Sequence, residues 1–166
     1  MPEHTTQERL QPALLDRLTD DQPDQSQESR ERRVLSLGRL REAVLRDLAW
    51  LLNTTRMEVS QDLTDYPLVA RSALNFGIPE LTGTVVSELD ASALEGLIRA
   101  CIWNYEPRLR RESLQVRILH TPEETNHRSV EFQIEGELMA QPLPLQLYLK
   151  TEIDLESGSA VVRDAR

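Results

Sequence analysis

Apolar residues recur at steps of three and four in the first two-thirds of the chain and at steps of two after residue 114. Between Leu35 and Asn53, the positions Leu37, Leu40, Val44, Leu48 and Leu51 form a helical stripe that Leu45 and Leu52 widen. This predicts an amphipathic helix with one buried face. Arg39, Arg41, Glu42, Arg46 and Asp47 fall mainly off the stripe and are expected on its wet side. Ser36 is placed to cap an inner start, and Asn53-Thr54-Thr55 to end the helix. Tyr66 to Leu74 predicts a short helix through Val69, Ala70 and Ala73. The loop Asn75 to Gly83 follows, with two glycines and one proline. Only its apolar side chains, Phe76, Ile78 and Leu81, can hold such a loop down. A further helix starts near Asp90 or Ser92, with Glu95 three positions after Ser92 as a capping box requires. Leu94, Leu97, Ile98, Cys101, Ile102 and Tyr105 mark its buried face, and Pro107 stops it at Glu106.

From Leu114 the period is two. Leu114, Val116 and Ile118 alternate with Gln115 and Arg117, and Val130, Phe132, Ile134 and Leu138 alternate with Glu131, Gln133, Glu135 and Glu137. Leu143, Leu145, Leu147, Leu149, Ile153 and Leu155 continue the pattern. Glu156 to Ser159 reads as a turn into a last strand, Ala160 to Arg163. Strands with one dry and one wet face fit an antiparallel sheet. The fold class is therefore α+β: N-terminal helices packed on one face of a mostly antiparallel sheet formed by the C-terminal half.

Residues 1–34 stand apart as an N-terminal extension to a body of residues 35–166. Arg9 to Thr19 places Leu10, Leu14, Leu15 and Leu18 on one side of a short amphipathic helix, with Pro12 near its start, where a missing N–H costs little. Asp20 to Arg33 contains no hydrophobic residue, as expected of a flexible polar linker. That spacer favours a tethered docking helix for a partner groove over a helix folded onto the body.

Composition narrows the functions. The chain has 166 residues, a net charge of -9, 39% hydrophobic residues and only two Trp, three Tyr and two Phe. One domain of this size buries roughly 68–70% of its unfolded surface and needs no disulfide or metal. The acidic balance argues against general nucleic-acid binding. A single cysteine, Cys101, excludes an internal disulfide and any paired-cysteine metal motif. No apolar run approaches the length of a membrane span, and the start lacks the apolar stretch of a signal peptide, so a cytoplasmic protein is expected.

Candidate chemistry is sparse. His4, His120 and His127 have no ligand spacing between them, and zinc needs three or four convergent nitrogen or sulfur ligands. Cys101 lies on an apolar helix face, the place of a small buried hydrophobe. No nucleotide-binding or nucleophile-elbow motif occurs, so no cofactor, metal or small-molecule substrate is expected. Paired carboxylates could support glycoside hydrolysis, with Asp65, Glu80, Asp90 and Glu106 as the candidates. A chain with 28 acids offers such pairs by chance.

The distinctive constellation is Trp103-Asn-Tyr-Glu-Pro-Arg-Leu109. Glu106, Pro107 and Arg108 leave a helix end beside Trp103 and Tyr105, and Arg110 and Arg111 add a basic spot. Either Glu106 pairs internally at a helix C-terminus, or the group is an aromatic-flanked docking point, since Arg and aromatic residues anchor interfaces.

Four segments in order carry a family resemblance: Arg-Asp-Leu-Ala-Trp-Leu-Leu-Asn at 46–53, Tyr-Pro at 66–67, the Asn75-Phe-Gly-Ile-Pro loop, and Tyr-Glu-Pro-Arg-Leu at 105–109. The chain resembles the TssE baseplate subunits of bacterial type VI secretion systems, which group with the sheath-initiating wedge subunits of contractile phage baseplates. The resemblance spans roughly Arg32 to Arg166. It implies a non-enzymatic cytoplasmic adaptor that joins baseplate wedge subunits and templates the contractile sheath by strand addition. It assigns Glu106, Pro107 and Arg108 to contacts with sheath or baseplate neighbours. Leu10, Leu14, Leu15 and Leu18 would then anchor a wedge subunit. The same family carries a lysozyme label, which makes a peptidoglycan hydrolase the competing expectation. Arg108 beside Glu106 argues against it, because a guanidinium favours the charged carboxylate and an acid catalyst must hold its proton. A small regulatory adaptor sharing the fold is the third alternative.

Overall fold

Four strands run in chain order as an antiparallel meander: β1 (Gln115–His120), β2 (Ser129–Leu138), β3 (Leu145–Asp154) and β4 (Ala160–Asp164). The computed structural model describes residues 13–19, 24, 37–82, 90–120, 129–140 and 144–165. His4, Leu10, Leu35, Ser36, Gly83, His127 and Leu143 lie outside these, as do the 20–33 stretch apart from Asp24 and the side chain of His120. The two-residue period sets the register. Val130, Phe132 and Ile134 of β2 stand opposite Ile153, Thr151 and Leu149 of β3, all on the dry face. On the wet face Lys150 pairs with Glu131 at 2.8 Å. The β3–β4 turn is closed by Asp154, whose carboxylate accepts the Glu156 and Ser157 N–H groups at 2.8 Å each. Gly158 there adopts φ +71°, a region open mainly to glycine.

The helices are α1 (Leu14–Leu18), α2 (Leu37–Leu52), α3 (Pro67–Ala70) and α4 (Ala91–Tyr105). Helix α2 packs on β4 and α4 on β1. Their stripes (Leu40, Val44, Leu48 and Leu51; Leu94, Ile98 and Ile102) share one core with Phe132, Leu147 and Leu149. The α+β architecture therefore stands as expected. Helix α2 spans nearly the expected residues, and the Tyr66–Leu74 segment becomes α3 followed by a 3-10 turn at Ala73–Asn75.

Long-range partners move Arg41 and Glu95 from their expected places. Arg41 is only 8% exposed, because α2 lies along β4 and the guanidinium reaches Asp164 near the strand's end. Leu37 is exposed instead. Asp90, not Ser92, caps α4, accepting the Ser92 and Ala93 N–H groups at 3.0 and 3.2 Å. Glu95 is thereby released from any capping box, and its carboxylate accepts the Ile118 N–H of β1 at 2.8 Å. At the other edge of the sheet Asn53 does the same work. Its amide accepts the Ala160 N–H at 2.9 Å and donates to the Ala160 carbonyl at 2.8 Å, as a neighbouring strand would. Side chains thus cover part of each edge, which limits unwanted pairing. Asn53→Ala is expected to cost about 1–3 kcal/mol, read as a lower urea midpoint at unchanged slope, whereas Glu80→Ala should stay within about 0.5 kcal/mol.

Candidate functional site

The loop that the sequence left to its apolar side chains is in fact stitched to the end of α2. The Ile78 N–H donates to the Thr54 carbonyl at 2.8 Å, and the Arg56 N–H to the Ile78 carbonyl at 2.9 Å. Thr55 and Ile78 form a one-residue parallel bridge. Gly77 makes this approach possible at φ +129°. Buried Asn75 donates to the Ala70 carbonyl at 3.0 Å and accepts the Glu58 N–H at 2.9 Å, which ties α3 to the 3-10 turn Met57–Val59. The Tyr105 hydroxyl donates to the Asn75 carbonyl at 2.7 Å, with the Ser72 carbonyl at 3.2 Å. Phe76 meets the Tyr105 ring edge-on at 5.3 Å. The loop is therefore a fixed wall at the C-terminal end of α4.

Glu106 follows as the cap of α4, and Pro107 turns the chain out. The segment is caught at once by the end of β2. The Met139 N–H donates to the Arg108 carbonyl at 2.8 Å, the Arg110 N–H donates to the Glu137 carbonyl at 2.9 Å, and Leu109 bridges Leu138. With its backbone pinned, Arg108 folds back on Glu106. Its N–H and Nε reach Oε1 at 3.1 and 2.7 Å, and Nη2 reaches Oε2 at 2.5 Å. The same Nη2 also lies 2.5 Å from Asp47 Oδ2 on α2. Asp47 in turn accepts from Arg46 at 2.9 Å, and Arg46 reaches Asp16 of α1 at 2.6 Å. Five alternating charges thus run Glu106, Arg108, Asp47, Arg46, Asp16. Burial alone works against the Arg108 charge, but Glu106 and then Asp47 outweigh it and hold the guanidinium above its ordinary range. The hydrogen bond that Arg46 donates to Asp16 is the main reason that Arg46 is raised as well.

Beside this chain of charges opens a cleft of about 260 Å³. Leu48 and Leu51 floor it, and Leu15, Trp50, Phe76 and Tyr105 wall it. The expected site residues divide around it. Tyr105, Glu106 and Arg108 converge here; Glu106 is 3% exposed, with both oxygens engaged by Arg108. Pro107 is exposed. Trp103 stands outside the cleft, under the Arg99 guanidinium at 5.6 Å, and its carbonyl accepts from Arg111. Arg110 pairs with Glu137 at 3.3 Å. Of the α1 leucines, Leu15 lines the cleft while still 44% exposed, and Leu14 and Leu18 are 70% and 74% exposed. In this structure α1 lies against the body through Leu15 and the Asp16–Arg46 pair.

Sequence reasoning missed Asp16, Arg46, Asp47 and Trp50. The available signal was local: Arg46, Asp47 and Trp50 sit one and four residues apart, next to the apolar stripe rather than opposite it. Arg46 covers the Trp50 ring at 5.1 Å. Cys101 is buried and its thiol is pushed up by that burial, the setting of a structural rather than a reactive cysteine. Among the described residues no cluster of three or more His, Cys, Asp or Glu could hold a metal ion. No described helix is long and apolar enough to cross a membrane.

Residues 38–143 match the family described as baseplate wedge protein gp25. No curated protein matches the chain. A solved structure from Geobacter sulfurreducens, provisionally named a tail lysozyme, is similar with 18% identity and a TM-score of 0.45, covering 70% of this chain and 92% of its own.

Proposed function

The chain belongs to the baseplate wedge protein gp25 family, and from that membership we propose that it is a non-enzymatic adaptor of a type VI secretion baseplate, joining wedge subunits and starting the contractile sheath. A structural baseplate role is what the family itself supports. The observation that carries the finer reading is the locked Glu-Pro-Arg segment. Its backbone is held by β2 and its two charges by each other and by Asp47. A carboxylate fixed in this way cannot approach a glycosidic oxygen, whereas a rigid, pre-ordered turn is what an assembly contact uses. The exposed Pro107 and basic Arg110 and Arg111 form the outward side of that turn.

The sheath contact is assigned to β4. Asp154 bonds Ser159 and Ala165 bonds Tyr148 across the β3–β4 ladder, and the alternation between them turns the Val162 N–H and carbonyl away from β3. A strand added there would draw affinity from backbone bonds and specificity from alternate side chains. Residues 1–34, with Leu10, Leu14, Leu15 and Leu18, would reach a wedge subunit from a cytoplasmic assembly. The test is co-sedimentation of the full chain with assembled sheath subunits. Val162→Pro removes one outward donor and is tolerated at an edge. It is expected to lower sheath capture at least tenfold while the melting temperature stays close to that of the parent. Undiminished capture by the folded variant would overturn the β4 assignment. Turnover of cell-wall glycan by the purified chain, abolished by Glu106→Gln, would overturn the non-enzymatic one.

A further inference from the structure

The seat of α1 is built for more than α1 fills. One of its three leucines lines the cleft, and the cleft still holds about 260 Å³, many times the roughly 30 Å³ a water molecule occupies. Trp50 lies half exposed on its rim. The polar fit is also incomplete: Asp16 Oδ2 is buried without a hydrogen-bond partner, while Arg46 Nη2 is held by Asp47 at 2.9 Å. A helix of five residues is far below the length at which helices persist unaided. Its hold is therefore Leu15, the Asp16–Arg46 pair and the tether.

We propose that this cleft is the receiving groove for an amphipathic helix of a partner protein that carries a carboxylate beside an apolar anchor, and that α1 is its internal occupant in the free chain. The partner chemistry is read from α1 itself. Leu15, 44% exposed, lines the groove with Leu48 and Leu51, and beside the groove the Asp16 carboxylate accepts from Arg46. A longer helix would add a second anchor, three or four residues on, to the space α1 leaves open, in the manner of helix-in-groove recognition. Arg46 is the link in the charge chain that bonds α1, while Asp47, Glu106 and Arg108 line the cleft with Leu15. Asp47 behind it is bonded to Arg108, so exchange of the occupant alters the surroundings of the Glu-Pro-Arg turn directly. Exchange would also release α1, with Leu14 and Leu18, to anchor elsewhere. The proposal goes beyond the adaptor reading and does not depend on sheath pairing at β4.

The test uses the full chain and a fluorescein-labelled peptide of residues 9–19 as the probe. In the parent chain, tethered α1 competes at an effective concentration of order 1 mM. Unseating it with Leu15→Asp plus Asp16→Ala is expected to tighten peptide binding at least tenfold. Asp16→Lys alone provides a second, milder route and should act in the same direction. Adding Arg46→Glu to the unseated chain should abolish binding, and a peptide carrying Asp16→Lys should restore it. Equal binding by the parent and unseated chains, or failure of the charge swap to restore it, would overturn the proposal. Concentration-dependent dimerisation of the parent chain that Asp16→Lys abolishes would assign the groove to a second copy and overturn the partner assignment.

Discussion

Arg108→Ala is expected to remove about 3–5 kcal/mol of folding stability, the cost of breaking a buried pair by deleting one partner. The reason lies in how Nη2 is shared. Glu106 Oε2 and Asp47 Oδ2 each lie 2.5 Å from that one nitrogen. Without the guanidinium, Glu106 keeps its burial and gains a like charge as its nearest former co-partner. Arg108→Lys should recover part of the loss, since an ammonium restores the charge but not the planar fork that meets Glu106 through Nε and Nη2 together. Arg111→Ala, an exposed arginine of the same turn, should change stability by no more than about 0.5 kcal/mol.

The pH dependence follows from the guanidinium itself. Glu106 and then Asp47 hold Arg108 above its ordinary range against the cost of burying it. A cation raised on folding contributes stability that is complete below its unfolded value and is lost only in strongly alkaline solution. The deficit of Arg108→Ala should therefore be the same at pH 6, 7 and 8. Urea midpoints of both chains across that interval check this, and a deficit that falls as pH rises through it would show that the guanidinium's charge is not its source.

The parts of the structure legible in the sequence are those set by local periodicity. The stripes of α2 and α4, the stop before Pro107 and the alternation along β2 and β3 all follow from neighbours within four residues. What was illegible depends on partners far away in the chain. Arg41 looks solvated until β4 brings Asp164 to it, 123 residues on. Glu95 fits a capping box until Asp90 takes the cap and β1 presents the Ile118 N–H. The Glu-Pro-Arg turn shows its character in the same intermediate way. Its residues mark it out, and Arg108 is a ready partner for Glu106, but only Asp47 and the end of β2 decide that this carboxylate points inward. The seat of α1 was the least readable feature, because Asp16 and Arg46 are 30 residues apart, with residues 20–33 between them carrying no apolar pattern.

Gly77 connects these two classes of information. Two glycines and a proline made its loop look merely irregular, yet the packing leaves this position no freedom. A Cβ at residue 77 would stand 2.3 Å from the Thr54 carbonyl oxygen and 2.8 Å from the Arg56 nitrogen, both backbone atoms that no rotamer change can move. The φ of +129° adds a conformation that side-chain-bearing residues avoid. Backbone strain of about 1–3 kcal/mol and an overpacking cost of similar size put Gly77→Ala at about 3 kcal/mol or more. The loss should also be local before it is global. Forcing the two segments apart breaks the Ile78–Thr54 and Arg56–Ile78 bonds first, then draws Asn75 away from the Tyr105 hydroxyl and unpins the end of α4 that carries Glu106. Hydrogen exchange at the Arg56 and Ile78 amides should accelerate in the variant under conditions where the Leu149 amide of β3 remains protected. Gly96→Ala gives the opposite sign. Nothing lies within 4 Å of its added Cβ, and replacing glycine by alanine within a helix should stabilise by about 0.5–1 kcal/mol. If both alanines behaved alike, the wall built by residues 75–78 would not be what holds the end of α4 in place.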